Sequence, residues 1–146
     1  MFSSILVPID FSEGSAHALE LAIRLAVEMK ARLTLLHVCV PEGIVVLDPY
    51  NALAAHTLPE VNAEAEANSR DALTALGRER VPPSVPWHVL TRLGDVPDAI
   101  VDATRTGGFD VVVIGTHGRT GLSRVVLGSI AERVVRTAEV PVLVTR

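Results

Sequence analysis

Aromatic residues are scarce in this chain: three Phe, one Trp and one Tyr make up 3% of its 146 residues. Its core must therefore be built from aliphatic side chains. Lysine occurs once, at Lys30, so arginine carries nearly all the positive charge. The net charge is −4 and the sequence pI about 5.7. With no basic run and no interleaving of basic and aromatic residues, nucleic acid is excluded as an expected partner. The single cysteine, Cys39, cannot form an intrachain disulfide; inside an apolar run it reads as a buried, inert thiol. No apolar run reaches the length of a membrane span. Pro8 and Asp10 break the first apolar stretch, so no secretory signal is expected there. The expected location is the cytoplasm.

Apolar residues make up 49% of the chain, mostly Ala, Val, Leu and Ile. Such β-branched and aliphatic material suits strands buried on both faces. The length fits one domain over residues 1–146. Strand and helix patterns alternate along it. A short aliphatic strand at 5–9 stops at Asp10. Ser12 then caps a helix carrying Leu19, Ala22, Ile23 and Ala26 at helical spacing, ending near Lys30. A second strand covers 33–40. Residues 41–56, with Gly43, Pro49 and the apolar patch at 44–47, read as an irregular loop. An Ala- and Glu-rich helix follows from about Leu58 to Arg80.

After Pro82, Pro83 and Pro86, a third strand at 87–93 shows the polar alternation of an exposed place in a sheet. Gly94 and Asp95 open a helix that Gly107 and Gly108 close. A fourth strand at 110–114 leads into a glycine-rich segment. A helix with Leu127, Ile130, Ala131 and Val134 on one face comes next, and then a last strand opening at Val140 and closing at Thr145. This alternation predicts an α/β fold: an open, parallel, five-stranded sheet with helices on both faces, three layers in all. Ligands of such sheets bind beyond the carboxyl ends of the strands, where the strand order reverses. If the first and fourth strands are neighbours, the order is 3-2-1-4-5 and the loops at Asp10 and Gly115 face each other.

Residues 115–129 read GTHGRTGLSRVVLGS. Gly115 lets the chain leave its strand without a Cβ, and Gly118 and Gly121 allow close approach to a ligand. Gly128 and Ser129 open a helix, where free N–H groups and the macrodipole attract anions. Arg119 and Arg124 lie close in sequence and can add positive charge. Three glycines alone would suit a simple turn. The spacing Gly-x2-Gly-x9-Gly-Ser, set between a strand end and a helix start, points instead to bound phosphate. It is neither a P-loop, since no Lys follows the last glycine, nor GxGxxG.

With VPIDFS at 7–12, LLHV at 35–38 and GTHGRTGLSRVVLGSIAERVVRTAEVPVLV at 115–144, the chain resembles the universal stress protein family over essentially its whole length. The resemblance implies a Rossmann-like fold of the adenine nucleotide alpha hydrolase type. It also implies membership of the ATP-binding branch, with ATP and Mg²⁺ as ligands. It assigns Asp10 to the adenosine and metal side of the site, with Pro8 and Ile9 lining that pocket. Val38 would meet the adenine through its backbone, and Ile114 and Gly115 would border the ribose. Gly118, Gly128, Ser129 and Ile130, with Arg119 nearby, would hold the phosphates. From the residues alone, Asp10 serves equally well as a turn or capping residue. His117 in the loop reads as exposed.

His17, His37, His56 and His88 lack metal-ligand spacing and read as structural or solvent-facing. Glu60, Glu64 and Glu66 form a solvated helix face. No Ser-His-Asp arrangement or catalytic carboxylate pair is present in the pattern, so no catalytic residue is assigned. The apolar last strand should lie at a sheet edge and invite a homodimer. Three functions follow as expectations: a nucleotide-dependent regulatory module of the stress response, a slow ATPase, or a nucleotide-free interaction module of the same fold.

Overall fold

The computed structural model describes residues 1–47, 53–116 and 127–146. The main sheet is parallel and built from β1 (Ser4–Pro8), β2 (Arg32–Cys39), β5 (Trp87–Leu93), β6 (Val111–Gly115) and β7 (Val142–Thr145). Its order is β5-β2-β1-β6-β7, which is the expected 3-2-1-4-5 arrangement. The helices are α1 (Glu13–Met29), α2 (Pro59–Arg80), α3 (Val96–Gly107) and α4 (Ser129–Thr137).

Period-two alternation divides the sheet between two cores. Ile5, Val7 and Ile9 of the first strand segment, with Leu33, Leu35, Val111 and Val113, pack under Ala18, Leu19 and Ala22 of α1 and Leu73 of α2. Leu6, Leu36, Val38, Val112 and Ile114 face the other way, toward Ile100 and Ala103 of α3 and Ala131 and Val134 of α4. Both faces of β1 and β6 are thereby sealed, which is why residues 5–7 and 111–114 are apolar without a break.

The helix boundaries follow local chemistry. Ser12 caps α1 by accepting a hydrogen bond from the Ser15 N–H, and Lys30 ends it in the left-handed region at φ 55°. Asp95 caps α3 through the Asp98 N–H, and Gly108 ends it at φ 63°. Glycine is required inside α2 at Gly77, because a Cβ there would stand 2.3 Å from the Trp87 ring.

Residues 41–56 are not an irregular loop. An antiparallel hairpin pairs β3 (Gly43–Leu47) with β4 (Leu53–Thr57), separate from the main sheet. The buried Asn62 of α2 fixes its base: its carboxamide oxygen accepts from the Glu42 N–H at 2.8 Å, and the Leu58 N–H donates to the Glu42 carbonyl. The Leu-Ala-Ala-His-Thr strand has little β propensity and no alternation, so only its pairing with 43–47 makes it a strand. Among the described residues, no helix is long and apolar enough to cross a membrane.

Candidate functional site

The chain runs from β1 outward to β2 and β5, then returns across the sheet to β6 and β7. The strand order therefore reverses between β1 and β6, and a crevice opens at their carboxyl ends. Asp10 stands at the end of β1. Its Oδ1 accepts two hydrogen bonds from Ser12, one from the backbone N–H at 3.0 Å and a short one from the hydroxyl. Ser12 Oγ in turn accepts from the Ser15 N–H at 3.2 Å, so carboxylate, cap and helix start are linked. Burial pushes the Asp10 carboxyl upward, but the donors on Ser12 and Ser15 outweigh it and hold the group below the usual carboxylate range. Asp10 is ionised at neutral pH.

Between Asp10 and Ser12, Phe11 adopts φ 62°. The left-handed region costs a residue with a Cβ about 1–2 kcal/mol. The cost is offset by the turn it makes, which brings both Ser12 donors back onto Asp10. The Phe11 ring leans on His37 with centroids 5.1 Å apart, and His37 Nδ1 lies 2.7 Å from the Ile9 carbonyl oxygen. Behind this turn, on the α1 side, a cavity of about 120 Å³ is lined by Ile9, Phe11, Leu19 and Leu76 among others. That is too small for a nucleotide, whose pockets run to about 300 Å³ or more.

Across the crevice, Gly115 ends β6 against the first turn of α1. A Cβ on Gly115 would stand 2.5 Å from the Gly14 carbonyl oxygen, so the close approach of strand and helix requires glycine there. Gly128 returns to the same place, its N–H donating to the Thr116 carbonyl at 2.7 Å, while the Thr116 N–H donates to Thr145. Gly128 is the N-cap of α4 and adds no side-chain cap. Because its own N–H is taken by Thr116, the donors that α4 can offer an anion begin at Ser129 and continue at Ile130 and Ala131. Ser129 and Ile130 are both exposed. Arg133 ties α4 to the start of α3 through Asp95 at 3.2 Å and Asp98 at 2.6 Å.

The expected site residues thus divide. Pro8, Asp10, Ile114, Gly115, Gly128, Ser129 and Ile130 gather around the β1–β6 crevice. Val38 lies at the carboxyl end of β2, its side chain in the α3–α4 core. Ile9 packs its side chain in the opposite core, under α1 and α2. Gly118 and Arg119, with His117, Gly121 and Arg124, lie outside the described residues. Among the described residues no three His, Cys, Asp or Glu side chains come together. Mg²⁺ does not need such a group: it is commonly held by one or two carboxylates plus substrate phosphates and water. An ionised Asp10 suits that role.

A family model described as the universal stress protein family matches residues 1–146. The chain belongs to the universal stress protein family. Universal stress protein MJ0531 of Methanocaldococcus jannaschii is 31% identical over 147 residues, spanning 100% of this chain and 83% of that protein. The solved universal stress protein UspA from Lactobacillus plantarum is 26% identical with a TM-score of 0.78, covering 99% of this chain and 97% of that one. Two more distant family structures share the fold. A universal stress protein in complex with cAMP is 20% identical at TM-score 0.66, covering 99% and 97% of the two chains. An Arabidopsis thaliana family protein with AMP bound is 18% identical at TM-score 0.60, covering 97% and 90%.

Sequence reading missed two residues in this universal stress protein. Phe11 looks like an ordinary apolar residue, and His37 a structural one. The period-two pattern of β2 puts His37 on the same face as Leu35 and Leu33, but only the pairing of β2 with β1 sets it beside the end of β1. Cys39 is buried as expected, its sulfur 3.4 Å from the Ser69 hydroxyl.

Proposed function

We propose that this universal stress protein binds an adenine nucleotide, ATP with Mg²⁺, in the crevice between β1 and β6, and acts as a nucleotide-dependent regulatory module. The observation that carries this reading is an ionised Asp10 at the sheet's reversal point, across from an α4 start with no side-chain cap. One side supplies a carboxylate for the metal. The other supplies backbone donors for phosphate oxygens, reinforced by the helix dipole. Family relatives crystallised with cAMP and with AMP support a nucleotide as the ligand class.

In this reading Pro8, Ile9 and Val38 frame the adenosine and Ile114 and Gly115 border the ribose. Ser129, Ile130 and the Gly118–Arg119 loop hold the phosphates. When bound, Mg²⁺ would neutralise phosphate charge beside Asp10. Function follows from a ligand-dependent shift of population between conformations. The whole chain, 1–146, works as one cytoplasmic domain and pairs with a second copy along β7.

Isothermal titration of the purified protein with MgATP tests the reading. Saturable binding is expected, with loss of binding in Asp10→Ala while circular dichroism stays unchanged. No heat at millimolar nucleotide would sink it. Mass spectrometry of nucleotide released on denaturing freshly purified protein identifies which adenine nucleotide is carried.

A further inference from the structure

His37 stands on the face of the sheet that packs against α1 and α2. The register of β2 puts it there, with Leu33 and Leu35 in the α1–α2 core, while Leu36 and Val38 face α3 and α4. A carbonyl oxygen can only accept, so the ring nitrogen 2.7 Å from the Ile9 oxygen must carry the proton. Ile9 is therefore held at both ends of its backbone: its N–H by the Leu36 carbonyl at 2.7 Å, its C=O by His37. The same imidazole supports the ring of Phe11, which is 43% exposed and occupies the left-handed backbone region. Asp10 lies between these two supports.

We propose that His37 is a positioning residue for the nucleotide site: from that face of the sheet it clamps the Ile9 carbonyl and braces Phe11, so that the turn aims the Asp10 carboxylate into the crevice. This role for His37 rests on the nucleotide reading above. Without the clamp, the Phe11 residue relaxes toward the ordinary regions for a residue with a Cβ, and the Ser12 donors leave Asp10. The ligand then loses an oriented carboxylate without losing any atom it touches.

Three proteins separate this from a general packing role. His37→Leu keeps volume and removes the donor. His37→Asn places an amide N–H near the position of Nδ1. The wild type sets the reference. Each is titrated with MgATP, its thermal midpoint is measured, and the Ser12 amide hydrogen exchange is followed by NMR without nucleotide. His37→Leu is expected to weaken MgATP binding about tenfold, the effect of one lost hydrogen bond, and to speed Ser12 exchange. His37→Asn is expected to recover most of both, even where the two variants share the same thermal midpoint. Wild-type affinity or wild-type Ser12 exchange in His37→Leu overturns the proposal, as does an Asn variant as weak as the Leu one. Failure of the wild type itself to bind MgATP overturns the nucleotide reading instead, so the two failures are distinct.

Discussion

Asp110 shows how one side chain can close a fold. Its Oδ2 accepts from the Ser3 N–H at 2.6 Å, the Ser3 hydroxyl at 2.7 Å and the Ser4 N–H at 2.9 Å, and so ties the start of β1 to the start of β6. The Ser3 hydroxyl, followed by the two N–H groups, holds this carboxyl below its ordinary value. A carboxyl whose folded pKa lies below its unfolded one stabilises the fold fully above the unfolded value, near ~4. That contribution fades as pH falls through the lower folded value. Asp110→Asn should therefore lower stability at neutral pH, and the gap from wild type should close as the solution is acidified below the folded pKa. Urea titrations at a series of pH values measure this; a gap that stays constant down to low pH would contradict the assignment. Asp110 itself reads from sequence only as the start of a strand, because its partners lie more than a hundred positions away.

At the scale of elements, the contact between β6 and α1 is set by two glycines. Gly115→Ala drives a Cβ into the Gly14 carbonyl, which is backbone and cannot rotate away. Overpacking of this kind costs about 2 kcal/mol, measurable as a lower urea midpoint. Loss of nucleotide binding in that variant would not by itself identify a ribose contact. The start of α3 supplies a second case. Asp95 caps the helix and also receives Arg133 of α4. Asp95→Ala should cost about 1 kcal/mol through the lost cap; the exposed ion pair adds little. Raising the salt concentration should leave most of that difference in place. Four of the helix starts and stops were legible in the sequence because capping is local: Ser12, Asp95, Gly108 and Gly128 each act within one turn. The hairpin was not, because its second strand depends on a partner ten positions earlier and on Asn62 beyond it.

For the whole molecule, two measurements bear on function. Saturation with MgATP at about 100 times its Kd should stabilise the fold by about 2.7 kcal/mol through linkage, seen as a raised thermal midpoint that Asp10→Ala no longer shows. The second concerns β7, which ends the sheet with one side unpaired by any other strand among the described residues. Leu143 and Val144 remain 38% and 36% exposed there. An apolar sheet edge favours pairing with another chain. Sedimentation velocity at micromolar concentration should give a dimer, and Leu143→Arg should shift it to monomer. A monomeric wild type would remove the dimer from the proposed function.

The amino-acid sequence alone was enough for the α/β class and for setting Asp10 and Gly128 at element ends; the expected strand order needed the first and fourth strands to be neighbours, as they are. Apolar runs, proline breaks and helix caps are short-range signals, and the alternation of strands and helices follows from them. Only the folded chain decided that Ile9 packs under α1 and α2, that Gly128 spends its N–H on Thr116, and that His37 reaches the Ile9 carbonyl. Each depends on the register between strands, which joins residues far apart along the chain, and no local pattern encodes such a meeting.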